Sequence, residues 1–148
     1  MQVRPAESAD ISAIGDLVQR AYSPYIERIV RRPGPMDDDY AKRIRLGYAF
    51  VAEDGGTLVG LIVLIPRTDH MLVENVAVDP DRQGEGIGRT LLSFAETSAR
   101  EAGISTLRLY THAKMTENLA LYDHLGYEEV ERRSERGFER VFLSKSIR

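Results

Sequence analysis

The stretch that decides the fold is DRQGEGIG, residues 81–88, which places three glycines within eight positions. It follows the apolar run MLVENVAV (residues 71–78) and precedes RTLLSFAETSAR (residues 89–100), which has the pattern of a helix. A glycine-rich loop between a strand and a helix presents backbone amides, and the positive end of the helix dipole, to an anion. The pattern predicts a phosphate-binding turn. The alternative is a tight strand-to-helix connection without a ligand.

Two familiar nucleotide-binding patterns do not fit this loop. A P-loop has a lysine and a serine or threonine after its last glycine, whereas Gly88 is followed by Arg89. The dinucleotide fingerprint needs a glycine at position 89 and an acidic residue at the end of the next strand, and LRLYT (residues 107–111) ends without one. Both interpretations are therefore excluded.

Composition limits the class of protein. The chain has 148 residues, a formal net charge of -3 and no cysteine. This length predicts a single domain over residues 1–148, with a core that needs no disulfide or thiolate metal site. Acidic and basic residues are interspersed, which argues against nucleic acid as a partner. With no signal-peptide pattern and no long apolar run, we expect a cytoplasmic protein that does not enter the membrane.

Apolar periodicity and turn residues predict the order αα(α)βββαβαββ. Helical spacing begins in SADISAIGDLVQRAY, a second apolar stripe (Tyr25, Ile26, Ile29 and Val30) runs up to RRPGP, and MDDDYAKRIRLG resembles a short capped helix. Residues 49–66 read as a hairpin around Asp54, Gly55 and Gly56. HMLVENVAV, STLRLYT and the two halves of YEEVERRSERGFERVFLSKSI read as strands, while residues 87–102 and TENLALYDHLG read as helices. The prediction is an α/β (α+β) fold, with a mixed sheet of six or seven strands flanked by about four helices.

The loop resembles the signature Q/R-x-x-G-x-G/A of the GNAT superfamily of N-acyltransferases, here Gln83, Gly86 and Gly88. NLALYDHLGY (residues 118–127) adds the family's Asn and Tyr four residues apart, Asn118 and Tyr122, with a closing Gly-aromatic pair. The resemblance implies the GNAT fold and acetyl-CoA as the acyl donor. The residues that it implies for coenzyme A binding are Val76, Ala77, Val78, Gln83, Gly84, Glu85, Gly86, Ile87, Gly88, Arg89, Asn118 and Tyr122.

Acyl transfer to an amine needs an acid for the leaving thiolate, a donor for the oxyanion and a base for the amine. Tyr122 is the expected acid, because a tyrosine, with a pKa near 10, is protonated at neutral pH. The family implies a backbone amide within residues 75–78 as the oxyanion donor. Glu74 is the expected base, with His70 and His112 as alternatives. The structural alternatives are that Asn118 caps its helix, that Tyr122 is a core aromatic, and that Glu74 lies at the solvated edge or forms a salt bridge with an arginine.

The sequence thus predicts an N-acetyltransferase that works by direct attack in a ternary complex, since it offers no cysteine for an acyl-enzyme. The alternative is a non-catalytic acyl-CoA-binding regulatory module. The acceptor, a small-molecule or peptide amine, is unidentified, and a protein or aminoacyl-tRNA acceptor is a further possibility. YSPYIERIVRRPGPM (residues 22–36) is expected to line the acceptor pocket, where Tyr25, Arg28 and Arg67 could hold an aromatic or acidic group. No metal site is expected, and the protein is expected to be a monomer or a homodimer.

Overall fold

The computed structural model describes residues 1–29 and 32–147. Its strands are β1 (Gln2–Pro5), β2 (Ala49–Asp54), β3 (Thr57–Pro66), β4 (Met71–Val78), β5 (Thr106–His112), β6 (Glu128–Glu135) and β7 (Phe138–Ser146). The α-helices are α1 (Ile11–Ile29), α2 (Tyr40–Arg45), α3 (Ile87–Glu101) and α4 (Thr116–His124), and short 3₁₀ helices form at Ser8–Asp10, Gly34–Asp37 and Pro80–Arg82. The seven strands described form one sheet, ordered β1-β2-β3-β4-β5-β7-β6, in which β4 and β5 are parallel. The predicted mixed sheet with about four helices is confirmed.

The first helix is longer than the sequence predicted. The second apolar stripe does not form a separate helix, because α1 continues through Pro24 to Ile29. A proline inside a helix lacks a hydrogen-bond donor and costs about 3 kcal/mol. The buried residues of α1 follow helical spacing along its whole length, so burial of one continuous face offsets that cost: Ile14, Leu17, Val18, Tyr22 and Ile29. Val30, the last residue of the predicted stripe, lies outside the described residues.

Strand β1 was not predicted. It pairs antiparallel with β2, from Gln2 opposite Glu53 to Pro5 opposite Phe50. Arg4 fixes this pairing, because its guanidinium lies 3.0 Å from the Glu53 carboxylate and 2.8 Å from that of Asp10. Four residues with one charge and one proline carry no strand periodicity, so only the tertiary pairing identifies them as a strand.

Internal contacts divide the chain into two compact units. The first unit comprises Met1–Leu64 and Asn75–Phe94, and the second comprises Ile65–Glu74 and Ala95–Arg148. Strands β3 and β4 and helix α3 each contribute residues to both units. This division therefore does not test the expectation of a single domain, which stays a prediction.

In the first unit, β2 and β3 form the predicted hairpin. Gly55 and Gly56 make its turn with φ angles of 58° and 84°, a left-handed conformation that favours glycine. Further along β3, Gly60 faces α3, where an added Cβ atom would lie 3.0 Å from side-chain carbons of both Ile87 and Leu91. The absence of a side chain at Gly60 lets the first turns of α3 pack closely against β3. The start of this helix is thereby held in place.

In the second unit, the pairing of β5 differs between its two neighbours. β5 pairs with β7 along its whole length, from Thr106 opposite Ser146 to His112 opposite Arg140. Its parallel register with β4 covers only Met71–Val73. β6 and β7 form the predicted hairpin, whose turn residues Arg136 and Gly137 have φ angles of 51° and 82°.

The core of the second unit contains an unsatisfied hydroxyl, which leads to a stability prediction. Among the described residues, the Tyr127 hydroxyl is the one buried side-chain polar atom without a hydrogen-bond partner. Burial raises the pKa of Tyr127, and its ring packs against Tyr122 with centroids 5.8 Å apart. An unsatisfied buried group costs about 1–3 kcal/mol. We expect Tyr127→Phe to raise the free energy of unfolding by about 1 kcal/mol, measured by urea denaturation.

Tyr48→Phe is the matched control, because it removes a hydroxyl from a half-buried ring of the first unit. Its effect on the free energy of unfolding is expected to be close to zero. A loss of stability in Tyr127→Phe would contradict the prediction and show that this hydroxyl is bonded in solution.

Candidate active site

The glycine loop leads into α3 as predicted, with the helix beginning at Ile87. Gly84 and Gly86 have φ angles of 86° and 81°, in the left-handed region. A Cβ atom at either position would meet no heavy atom within 4 Å. The two glycines are therefore required for the path of the backbone, and the space beside them is open. The close approach is instead at Gly60, where an added Cβ atom would crowd the side chains of Ile87 and Leu91, and the sequence analysis did not identify this residue.

The first turn of α3 is arranged to receive an anion. Thr90 makes an early intrahelical bond, its N–H donating to the Gly86 carbonyl at 3.0 Å, so the amides that precede it have no acceptor one turn earlier in the helix. The first turn contains no acidic residue and carries the exposed Arg89. A cation near a helix N-terminus is unfavourable by itself. It becomes favourable when an anion binds between the guanidinium and the amides.

An ion cluster holds the loop against the β2–β3 turn. Arg82 lies 2.6 Å from the Asp54 carboxylate and 2.9 Å from that of Glu85. The Arg82 guanidinium lowers the pKa of Asp54 below its ordinary value. Because the Glu85 carboxylate is paired with Arg82, Glu85 can contribute to an anion site only through its backbone.

Asp79 anchors the beginning of the loop. Its N–H donates to the Val59 carbonyl at 2.9 Å, and its carboxylate accepts from the Asp81 N–H at 2.9 Å and from Arg20 at 2.7 Å. Burial by itself would raise the pKa of Asp79, but the hydrogen bonds from Asp81 and Arg20 outweigh burial and leave the pKa below its ordinary value. The carboxylate therefore stays ionised and paired where strand β4 passes into the loop.

The backbone amides at the end of β4, which the family resemblance implies as oxyanion donors, differ in direction. Backbone groups alternate in direction along a strand, so the bond from the Asp79 N–H to β3 implies that the amides of Val76 and Val78 point away from β3. The register between β4 and β5 covers Met71–Val73 and includes neither Val76 nor Val78. These amides therefore point away from β3 and lie outside that ladder, and their role as oxyanion donors stays a prediction.

A buried polar network of the first unit contacts the end of β4. The sequence analysis did not identify it. It consists of Tyr22 on α1, Asn75 on β4 and Tyr40 on α2, each exposed by 7% or less. The Tyr22 hydroxyl donates to the Asn75 side-chain oxygen, and the Asn75 amide donates to the Tyr40 hydroxyl at 2.9 Å. Burial alternates along β4, and Asn75 occupies one of its buried positions. An asparagine at a buried strand position is the sequence feature that could have indicated this network.

The predicted base and the predicted residues of α4 belong to the second unit, whereas the loop and residues 75–78 belong to the first. Glu74 is half-buried and alternates with the buried Val73 and Asn75 along β4. Asn118 and Tyr122 lie on α4 as predicted. Tyr122 is buried, and the Asn118 side-chain amide lies 3.8 Å from the sulfur of Met115.

The structure distinguishes the two histidines that are alternative bases. The Lys114 N–H donates to Nδ1 of His112 at 3.0 Å, and burial lowers the pKa of His112. Its neutral ring therefore carries the proton on Nε2, with Nδ1 already engaged. His70 lies in the β3–β4 turn, where Nδ1 is 2.7 Å from the exposed Asp69 carboxylate. Among the described residues no group of three histidines or carboxylates is placed to hold a metal ion.

Comparison with known proteins relates the chain to acetyltransferases. The profile of the Acetyltransferase (GNAT) family matches residues 13–127. The [Ribosomal protein bS18]-alanine N-acetyltransferase of Escherichia coli (strain K12) is 32% identical over 81 residues, which is 55% of each chain. The chain thus matches about half the length of this curated relative.

Two solved structures share the fold. The ribosomal-protein-S18-alanine N-acetyltransferase from Escherichia coli superposes with a TM-score of 0.81 at 24% identity, over 99% of this chain and 93% of that one. PaiA N-acetyltransferase from Thermoplasma acidophilum, in complex with coenzyme A, has a TM-score of 0.82 at 19% identity, over 98% of both chains. At these identities the likeness is one of fold. No helix within residues 1–29 and 32–147 is both long and apolar enough to cross a membrane.

Proposed function

Because the chain belongs to the Acetyltransferase (GNAT) family, we propose that it transfers the acetyl group of acetyl-CoA to a primary amine by direct attack in a ternary complex. The family and the fold predicted from the sequence are confirmed. The family supports the prediction of an N-acetyltransferase with acetyl-CoA as its acyl donor. The acceptor, the residue roles and the order of steps are the substance of the proposal.

The observation that carries the proposal is the start of α3. Its amides, the left-handed glycines before it and the exposed Arg89, with no acidic residue in the first turn, support an anion site there. The diphosphate of coenzyme A is the anion that we assign to it. Glu85 contributes backbone only, since its carboxylate is paired with Arg82. The other proposed contacts of coenzyme A are those with Val76, Ala77, Val78, Asn118 and Tyr122.

The proposed chemistry uses three groups. The amine nitrogen attacks the thioester carbonyl carbon while Glu74 accepts a proton from the amine, directly or through water. The amides of Val76 and Val78 stabilise the resulting oxyanion. When the C–S bond breaks, Tyr122 gives its proton to the thiolate, and solvent carries the proton from Glu74 back to Tyr122. The products are the acetylated amine and free coenzyme A.

The first acceptor to test is the N-terminal amine of a peptide that begins with alanine. Support comes from the [Ribosomal protein bS18]-alanine N-acetyltransferase, whose name gives an alanine of a ribosomal protein as the residue acetylated. On α1, Tyr25 and Arg28 stack with the guanidinium 4.9 Å from the ring centroid, which gives this candidate acceptor segment an amphipathic surface. The test is release of free thiol from acetyl-CoA with this peptide and a panel of small amines, with mass spectrometry of the product. Binding of acetyl-CoA without thiol release would instead indicate a regulatory module.

Arg89 gives the sharpest test of the anion site. A valine at Gly86 would strain the backbone, because Gly86 has a φ of 81°. A loss of coenzyme A affinity in that variant could then come from either a lost contact or a disturbed fold. Arg89→Gln is free of that strain. We expect it to weaken coenzyme A binding about tenfold or more in calorimetry, since a hydrogen bond to a charged group contributes about 1.5–3 kcal/mol.

Arg100→Gln, in the last turn of the same helix, is the control and should leave this affinity unchanged. The kcat/KM for S-acetylpantetheine, which lacks the diphosphate, should be equal in Arg89→Gln and the parent. If Arg89→Gln binds coenzyme A as tightly as the parent, the diphosphate is not held by this guanidinium.

A further inference from the structure

The network of Tyr22, Asn75 and Tyr40 joins three elements of the first unit through a single amide group. Asn75 accepts from Tyr22 on α1 and donates to Tyr40 on α2, so both ends of its side chain are used. Tyr40 in turn donates to the Pro35 carbonyl at 2.5 Å. Each buried polar group that lost its partner would be destabilising. These bonds therefore tie Asn75 to both α1 and α2.

The network also contacts the backbone of β4. The Tyr22 hydroxyl lies 3.1 Å from the Val76 carbonyl oxygen. In an antiparallel strand the N–H and C=O of one residue point to the same side. Tyr22 thus meets β4 on the side to which the Val76 amide points, away from β3. A displacement of Tyr22 or Asn75 would move this amide.

We propose that Asn75 is a positioning residue, which holds the Val76 and Val78 amides where the thioester carbonyl of acetyl-CoA binds. This inference rests on the proposed function, since it assumes that acetyl-CoA is bound there. An asparagine is specifically suited, because its side chain both donates and accepts, whereas leucine does neither and an ionised aspartate only accepts. Asn75 does not react. It acts through the backbone of its own strand.

The test is infrared spectroscopy of [1-13C]acetyl-CoA bound to the protein, which needs no acceptor. A hydrogen bond from a β4 amide lowers the stretching frequency of the thioester carbonyl. We expect this shift in the parent, its loss in Asn75→Leu and a reduced shift in Tyr22→Phe and Tyr40→Phe, with coenzyme A affinity unchanged in all. Tyr48→Phe is the control and should keep the full shift. The two conservative tyrosine variants keep the test valid if Asn75→Leu does not fold.

Asn75→Asp separates positioning from simple packing. The groups that contact position 75 are the hydroxyls of Tyr22 and Tyr40, and Glu74 is the adjacent charge on β4. Burial raises the pKa of a carboxyl, and the protonated form can again donate to Tyr40 and accept from Tyr22. The carbonyl shift should therefore be absent at high pH and return as the pH falls. Asn75→Leu should show no such return.

Two results would overturn the inference, and both can be distinguished from a result that overturns the proposed function. An unshifted carbonyl in the parent, or the parent's shift in Asn75→Leu and both tyrosine variants, would show that the network serves folding alone. Failure of the parent to bind acetyl-CoA would overturn the proposed function itself.

Discussion

Tyr122→Phe is expected to lower kcat by about 10²–10⁴, the usual contribution of a general acid. A departing thiolate needs a proton, and a phenol with an ordinary pKa near 10 is protonated at neutral pH. Tyr122 is buried on α4, and its ring packs against Tyr127 at 61°. Phenylalanine retains that ring and its packing while removing the hydroxyl. The loss should therefore fall on kcat, with little change in the acetyl-CoA dissociation constant.

The identity of the leaving group provides the decisive measurement. An aryl thioester releases a thiolate of much lower pKa, which departs without a proton. The deficit of Tyr122→Phe should therefore shrink with an acetyl aryl thioester as donor. Tyr127→Phe is the control, because it removes the hydroxyl of the neighbouring ring, and it should keep the parent kcat. If Tyr122→Phe loses the same factor in kcat with both donors, Tyr122 positions the substrate. If its kcat equals that of the parent, Tyr122 serves only packing.

The sequence predicted the features that are encoded locally. The start of α3 at Ile87 and the β2–β3 turn at Gly55 and Gly56 each follow from glycines within a few residues. The Asp39 cap of α2 is equally local, its carboxylate accepting from the Lys42 N–H at 3.1 Å. Such features depend on backbone conformation and on the first turn of a helix. A short window of sequence contains everything that determines them.

Features that depend on distant partners could not be predicted in this way. Arg82 pairs with Asp54, and Tyr22 bonds to Asn75, across 28 and 53 positions of the chain. Gly60 resembles any strand glycine until α3 packs over it. Neither spacing nor residue type indicates such contacts. The roles of Glu74, Asn118 and Tyr122 likewise came from a family resemblance, and they remain predictions that kinetics must test.

Glu74→Gln is expected to lower kcat/KM by about 10²–10⁴ at neutral pH for an amine that arrives protonated. The base must be ionised to accept a proton, so the parent's kcat/KM should fall as the pH drops through the pKa of the carboxylate or of the amine. Glutamine cannot titrate. In the variant, the pH dependence that remains should belong to the amine alone and shift with the pKa of the acceptor used.

The acceptor's own pKa therefore separates a base from a structural carboxylate. An amine with a pKa below 7 is already neutral at pH 7, so it needs less help in losing its proton, and the deficit of Glu74→Gln should narrow with it. Glu74→Asp is the matched variant, because it keeps a carboxylate that can work through one more water molecule and should recover part of the rate. An unchanged rate and pH profile in Glu74→Gln would contradict the assignment. Since Nδ1 of His112 is engaged by the Lys114 N–H, the alternatives for the base would then be solvent and His70, whose Nδ1 is paired with Asp69 and whose Nε2 can accept a proton.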